Sequence, residues 1–522
     1  MRQFGHNRTV AKPLILIGGA FAAGIVFSSG FSPRGCPVLS LIALLALFAG
    51  VARSETSRSV FATAFFFGIG WFAPGLAWTL DAMIVHGRVP AALALGGLIA
   101  LAALCSLFAA VAATLAKRFF PGDSSLCCYG FAGFLTIGEY LRGNGLADFG
   151  WLTPADMVAG LPLAGWAPLT GAVGINAVVF FSIAALCAAA SAVRKGRFAR
   201  AACHAMLPTL GLLIGGYGLS QNWSMPGDTL AVRVVQADLP VVNGFVRADP
   251  AQRIATVASL SERAWTNGAE RPLLLTPEGM LLTDLGHLDA ASQRALGSLL
   301  QATPGPVLFN GFRQDAPGSW RNTSFLFDPS HSDQLAFVDK RKLVPFGEYV
   351  PAGFRWFVDL LRIPLSDLTP GAIDQANPSV HGVPLGILIC YENLDGEVLR
   401  GLWRSRPENS PGLLVVTSNL GWFGEAVRWQ HLNMTRLRAL ESSRPAVSVS
   451  MNGLSAYVDE KGRVLNEAPS SGSAVCDWRV RTQTGSATPY MRFGDLPAVF
   501  FAILATAAVF CAARAQRTRR AV

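Results

Sequence analysis

Charge is what this chain of 522 residues has least of. Only 15% of its residues are Asp, Glu, Lys or Arg against 51% hydrophobic, too few to cover an ordinary soluble protein of two or three domains. Acids are the scarcer sign, with 33 Asp and Glu facing 43 Lys and Arg for a formal net charge of +10. The chain also lacks a Cys-x-x-Cys pair and any His/Cys cluster with zinc spacing, so no metal and no cofactor is expected. No Cys-His pattern is present, and a cysteine nucleophile here would need another base. Stacking aromatics do not accompany the basic residues in a groove-like pattern, which argues against nucleic acid as a partner.

What the chain has instead is apolarity, unevenly spread. Residues up to about 220 and after about 493 hold long uncharged runs, whereas the stretch between them carries most of the acids. A helix crosses a hydrocarbon core in about 20 residues, and suitable runs fall at 13–31, 37–52, 60–80, 90–116, 124–141, 168–193, 203–220 and 494–513. The first also has the layout of a signal peptide, with Arg2, Arg8 and Lys12 ahead of it, but the runs that follow need it uncleaved as a bundle member.

Counting basic residues orients these spans. With the N-terminus inside, the inner segments hold fifteen Lys and Arg: Arg2, Arg8, Lys12, Arg53, Arg58, Lys117, Arg118, Arg194, Lys195, Arg197, Arg200, Arg514, Arg517, Arg519 and Arg520. The outer loops hold only Arg34, Arg88 and Arg142. This positive-inside bias predicts a multi-pass membrane protein whose central domain lies outside the cytoplasm. It also accounts for the net charge, through the anionic inner leaflet. The expected partition is a membrane domain of about seven helices over 1–222, a soluble domain over 229–485, a last span at 494–513 and a basic tail at 514–522.

The soluble stretch alternates strand-like and helical patterns. Strand-like runs are 230–236, 272–276, 307–311, 323–327, 386–390, 412–417 and 446–450, and helical periodicity appears at 250–268, 288–302, 395–404 and 427–443. Strands apolar on both faces and separated by helices require a sheet covered on each side. Seven of the nine cysteines lie in or next to the spans, leaving Cys390 and Cys476 here, an extracytoplasmic pair for which a disulfide is one reading.

Three chemical groups stand at strand ends in this domain. Glu278 follows Leu273-Leu-Leu-Thr-Pro, where the proline forbids further laddering; Lys340 follows Leu335-Ala-Phe-Val-Asp; Cys390 follows Gly386-Ile-Leu-Ile. Taken singly they read as a turn carboxylate, part of a surface charge run with Arg341 and Lys342, and a buried small hydrophobe. Jointly a carboxylate, an amine and a thiol at one sheet edge make an acyl-transfer site. The carboxylate takes the thiol proton, and the ammonium favours the thiolate and the oxyanion.

This trio resembles the Glu, Lys, Cys triad of the nitrilase superfamily. The strings Leu343-Val-Pro-Phe-Gly-Glu348-Tyr-Val-Pro351 and Cys390-Tyr391-Glu392 look like its membrane-bound branch, the apolipoprotein N-acyltransferases. The resemblance implies a polytopic α-helical membrane bundle plus an α/β nitrilase-like α-β-β-α sandwich domain, in a bacterial inner membrane with the catalytic domain on the periplasmic side. It implies Glu278 as base, Lys340 as oxyanion partner and Cys390 as nucleophile, with Glu348, Tyr391 and Glu392 in supporting roles. Ser418-Asn419 and Trp422-Phe423-Gly424 are similar to a loop of that family, and make Trp422 and Phe423 a candidate lid or lipid contact; His431, Arg438 and Glu441 on the next helix read as structural. Phe67–Trp78, Glu139-Tyr-Leu-Arg142 and Phe149–Leu152 resemble its membrane part more weakly, the Glu139 and Arg142 pair being either functional or a structural ion pair.

The implied reaction passes a fatty acyl chain from a phospholipid, through a Cys390 thioester, to the α-amine of an apolipoprotein's diacylglyceryl-cysteine. Its partners are the phospholipid donor, the apolipoprotein acceptor and the bilayer. The rim departs from the family: Gly279, Asn393 and Leu420 stand where Thr, Asp and Asp are usual, and Phe245 is the nearest aromatic where a Trp is expected. These departures leave open a paralogue with another acyl acceptor, as in conjugal transfer systems, a membrane-tethered C–N hydrolase, and a non-catalytic protein that keeps the fold.

Overall fold

The computed structural model describes residues 6–32, 35–145, 147–241, 249–263, 271–353, 355–356, 367–404 and 407–521. Arg2, Arg34, Phe245 and the end of the helix expected at 250–268 lie outside these residues. The chain divides into two compact units, one of residues 1–79, 92–221 and 493–522, the other of 80–91 and 222–492.

In the first unit, helices stand at each of the eight apolar runs: His6–Ser29, Pro37–Arg53, Ser57–Gly75, Ala91–Phe119, Ser124–Gly143, Ala167–Arg194, Phe198–Ser220 and Leu496–Ala521. Among the described residues, four are long and apolar enough to cross a membrane, and Ser57–Gly75 with Thr79–His86, bent by 63°, makes a fifth if counted as one span. Ile15–Ser29 and Pro37–Arg53 are shorter apolar helices, and Ser124–Gly143 carries Glu139 and Arg142. The bend follows Pro74, which removes a helical hydrogen-bond donor near the helix end. The last helix runs on through the basic residues expected as a tail.

Backbone contact packs this unit, as in membranes generally, where small residues let helices approach. A Cβ on Gly24 would stand 2.1 Å from the Phe67 carbonyl oxygen, and one on Gly70 2.2 Å from that of Phe21. Arg142 is buried and fully engaged. It pairs with Glu139 at 2.7 Å, donates to the Phe149 and Trp151 carbonyls at 2.6 and 2.9 Å, and lies 5.0 Å over the Phe72 ring. The Glu139 and Arg142 pair is therefore a staple on the Phe149–Trp151 turn.

Among the described residues, the second unit holds twelve strands in two six-stranded sheets. The strands are β1 (Met225–Gln236), β2 (Leu273–Leu275), β3 (Val307–Ala316), β4 (Ser319–Phe327), β5 (Leu335–Asp339), β6 (Ser379–Val380), β7 (Val383–Ile389), β8 (Leu413–Ser418), β9 (Ala446–Ser450), β10 (Ala456–Val458), β11 (Val464–Glu467) and β12 (Ala474–Thr484). Their orders are β12-β1-β2-β3-β4-β5 and β11-β10-β9-β8-β7-β6. Side chains alternate faces along a strand, and here both faces are apolar. Val232, Val234, Leu273, Leu275, Leu308 and Val338 meet Leu385, Ile387, Ile389, Val415, Val447 and Val449 between the sheets. Leu274, Val307 and Phe309 face outward onto Ile254, Val257, Leu296 and Leu299 of helices Pro250–Ser261 and Ala290–Ala302. On the far side Leu388, Leu414 and Val416 face Leu399, Leu402 and Leu432 of helices Gly396–Arg404 and Glu425–Ser442.

The result is the expected α-β-β-α sandwich. Strands β10, β11 and β12 carry no strong apolar run and were not among the expected strands; they form by pairing, β12 antiparallel on β1 with Val232 opposite Trp478. Cys476 lies on β12, and both it and Cys390 are free thiols.

Candidate active site

Parallel strands present their carboxyl ends on one edge, and that is where ligands bind in open α/β sheets. β2 pairs in parallel with β1 and β3, and β7 with β8, so Glu278 and Cys390 leave their strands at such ends. Past Thr276 and Pro277 the chain turns at Gly279, whose φ of 76° suits glycine and whose N–H donates to Asn310 Oδ1 at 2.8 Å. Lys340 reaches the same place from β5, its N–H donating across the ladder to the Asn322 carbonyl at 2.8 Å.

Side chains then converge. Lys340 Nζ lies 3.3 Å from Glu278 Oε1 and 2.8 Å from Glu348 Oε1. Asn322 Nδ2 donates to the same two oxygens, at 2.8 and 3.0 Å. Glu278 Oε2 accepts the Asn419 N–H at 2.9 Å, and Glu348 Oε2 the Val344 N–H at 2.8 Å. Lys340 is 1% exposed and Glu278 8%. Burial alone would discharge the ammonium, but the Glu278 and Glu348 carboxylates outweigh it and hold its pKa above the ordinary lysine range.

Cys390 sits at the turn after β7 with φ of 52°, a left-handed conformation that costs a β-carbon residue on the order of 1 kcal/mol or more. Hydrogen bonds on both sides hold it there. Glu392, wholly buried, accepts from the N–H of Ile389 at 2.8 Å and of Arg341 at 2.5 Å, tying the cysteine turn to the segment that carries Lys340. Burial raises the pKa of this carboxyl, with the Arg341 guanidinium at 3.7 Å opposing it. Tyr391 is buried beside the cysteine.

Electrostatics at the thiol add burial to the two charges expected there. Burial pushes the Cys390 pKa well up, the Glu278 charge adds to this, and Lys340 only partly opposes it. Burial comes first, and the Glu278 and Glu348 carboxylates add to it; Lys340 favours the thiolate, as expected, but does not outweigh them, so the thiol is held in its protonated form.

His431, on the Glu425–Ser442 helix, donates from Nε2 to the Cys390 carbonyl at 3.2 Å. It braces the turn through the backbone of Cys390. Burial lowers its pKa from 6.5 to about 4. A base with a depressed folded pKa stays neutral while the unfolded chain takes up protons, so stability is lost as pH falls from about 6.5 toward 4. The loss should reach about 3 kcal/mol at roughly 1.4 kcal/mol per unit. His431→Gln, whose amide can keep the bond to Cys390, is expected to flatten this decline in thermal melts between these pH values; an unchanged slope would contradict it.

The other residues singled out from sequence fall as follows. Arg438 Nη2 pairs with Glu441 Oε1 at 3.1 Å inside the domain, a structural contact. Asn393 Nδ2 donates to the His431 carbonyl and Thr435 Oγ1 at 3.0 and 2.9 Å. Trp422 and Phe423 are half-buried at the turn Leu420–Trp422. Trp422 meets the His86 ring edge-on at 5.1 Å, on a segment that belongs to the same unit.

Sequence reasoning missed Asn310 and Asn322. The ladder register is what shows them: Asn322 shares its strand face with Ser324 and stands opposite Lys340.

Comparison with known proteins gives the family. Residues 23–185 match the Apolipoprotein N-acyltransferase N-terminal domain, and residues 231–490 match the Carbon-nitrogen hydrolase family. An Apolipoprotein N-acyltransferase of Bordetella bronchiseptica is 33% identical over 100% of both chains. The chain belongs to the apolipoprotein N-acyltransferase family. Further members of this family, from Ralstonia nicotianae and Nitrosomonas europaea, are 30% and 32% identical over 99% and 91% of this chain and 97% and 93% of their own. An amidase from Nesterenkonia sp. overlays on 52% of this chain and 96% of its own, with 20% identity and a TM-score of 0.36. This apolipoprotein N-acyltransferase family member is thus a membrane protein that carries a carbon-nitrogen hydrolase domain.

Proposed function

We propose that this protein is an acyltransferase that moves a fatty acyl chain from a phospholipid to the α-amine of an apolipoprotein's N-terminal diacylglyceryl-cysteine. The observation that carries the reading is the convergence of Glu278, Lys340 and Glu348 at the turn bearing Cys390, in a chain whose whole length aligns with relatives of that name.

The chemistry follows from the charges. A thiol held protonated needs its base in the transition state, and Glu278 takes the S–H proton as Cys390 Sγ attacks the ester carbonyl. Lys340, already charged, meets the oxyanion that forms there, aided by a backbone N–H beside Cys390. The tetrahedral intermediate collapses with cleavage of the ester C–O bond. Glu278 returns its proton to the departing lysophospholipid oxygen, and the acyl group stays on sulfur as a thioester.

The acceptor amine then attacks the thioester carbonyl, forming the amide C–N bond. Glu278 receives the amine proton and the thiolate leaves to be reprotonated, so each half-reaction returns the site to its starting charge. Glu348 holds Lys340, Glu392 holds the cysteine turn, and Tyr391 packs beneath it. Trp422 and Phe423 border the acyl chain as a lid. Both substrates reside in the bilayer, and the positive-inside bias supports a catalytic unit at the periplasmic face of the inner membrane.

Full-length protein in detergent with a labelled phospholipid and a synthetic diacylated lipopeptide tests this directly. N-acylated peptide is the expected product. Free fatty acid alone would make the protein a membrane-tethered hydrolase, and acylation of a different acceptor only would make it a paralogue.

A further inference from the structure

We infer that Asn322 is a positioning residue for this reaction, whose side-chain amide, oriented by Asn310, keeps Glu278 available as the base beside Glu348 and Lys340. The inference rests on the reading above of Glu278 as the base.

The geometry is a closed ring of four groups. Lys340 Nζ and Asn322 Nδ2 each donate to both Glu278 Oε1 and Glu348 Oε1, with distances from 2.8 to 3.3 Å. Two like-charged carboxylates in one buried site tend to share a proton, and one lysine supplies a single positive charge for the pair. Asn322 adds donors without adding charge. A carboxylate sharing its proton is a poor base, so the amide bears on function and not only on packing.

The amide works only one way round, and its orientation traces back to the backbone. The Gly279 N–H donates to Asn310 Oδ1 at 2.8 Å, which turns Asn310 Nδ2 toward the Thr323 carbonyl at 3.0 Å and toward Asn322 Oδ1 at 2.8 Å. Asn322 therefore presents Nδ2 to the carboxylates. Sheet register makes this possible: β3, β4 and β5 run side by side, Asn310 lies opposite Ser324 and Thr323 opposite Asp339, so Asn310, Asn322 and Lys340 share one face. Both asparagines are buried.

Charged and titratable groups around Glu278 come from several elements. Lys340 follows β5, Glu348 lies on the loop after it, Cys390 follows β7, and His431 stands on the Glu425–Ser442 helix. Arg253, from the Pro250–Ser261 helix, donates to the Gly279 carbonyl at 2.9 Å. Beside these, Asn322 is a neutral group whose replacement by Asp changes charge with almost no change of shape.

The test is the pH profile of Cys390 alkylation by iodoacetamide, followed on the Cys390 peptide by mass spectrometry in full-length protein between about pH 5 and 9. In Asn322→Asp a third carboxylate faces the pair, and the acid limb of the profile is expected to move up by about one unit or more, lowering reactivity below it about tenfold. Asn322→Ala removes donors without adding charge and should move the limb by less, and Asn310→Ala, which frees the amide to turn, in the same direction. The order Asp beyond Ala marks the electrostatic role, since a packing role predicts the larger effect for Ala. Limbs that coincide with wild type, or rates lowered by one factor at every pH, would overturn the inference. Should Asn322→Asp not fold, Asn310→Ala decides on the same criterion. The readout uses no acyl donor: a wild type that never N-acylates peptide counts against the proposed function, whereas an unshifted limb counts against Asn322.

Discussion

A Cys390→Ala protein is expected to keep its fold and to lose acyl transfer by about 10⁴-fold or more. The fold should survive because the thiol carries no buried charge, and the Glu278 carboxylate it hydrogen-bonds stays held by Lys340, Asn322 and the Asn419 N–H. The bonds that hold the turn run to the Cys390 carbonyl from His431 and from the neighbouring Ile389 and Arg341 N–H groups to Glu392, and all remain. Stability should therefore stay within about 1 kcal/mol of wild type. Activity should vanish because both half-reactions run through the sulfur. Cys390→Ser makes a sharper control: its hydroxyl fits the site, but a carboxylate base draws a proton from it far less readily than from a thiol. Transfer from labelled phospholipid at matched protein concentration checks both, and turnover by Cys390→Ala would exclude a thioester path.

Lys340→Met should be the variant that loses both activity and stability. The loss of oxyanion stabilisation alone is worth about 10²–10³ in rate. Removing one partner of a buried charge cluster costs about 3–5 kcal/mol when the other charges stay behind, and here two carboxylates remain with Asn322 between them. The pH dependence fixes the cause. Without the ammonium, the folded pair should bind a proton more tightly than the unfolded chain does. Stability is then best retained at low pH and lost as pH rises above the ordinary carboxylate range of about 4. Thermal melts at several pH values should show a deficit that grows toward neutral pH in Lys340→Met. A deficit independent of pH would mean that packing, not charge, is what Lys340 provides.

The sandwich could be read from the sequence wherever a strand is apolar on both faces. Leu273–Leu275 and Gly386–Ile389 are such strands, and so the two sheets and their covering helices stood where expected. Strands β10 to β12 were not legible because their residues are mixed in character, and their place comes from the partner strand.

At the site, Glu278, Lys340 and Cys390 announced themselves by ending strands, Glu348 and Glu392 by resemblance. Asn310 and Asn322 did not, since an amide inside a strand looks like an ordinary polar interruption until the register sets it across from a lysine. Nor could the sequence give the protonation of the thiol. That depends first on burial and then on two carboxylates set against one ammonium, and Glu348 reaches the site only because its loop folds back from Val344.

Trapping the thioester tests the central claim most directly. Full-length protein is incubated with phospholipid carrying a labelled acyl chain and no acceptor, then digested and analysed by mass spectrometry. The account predicts one acyl group on the peptide containing Cys390, absent in Glu278→Gln and discharged when diacylated lipopeptide is added. Label on another residue, or sustained transfer to lipopeptide with Cys390 never acylated, would contradict it.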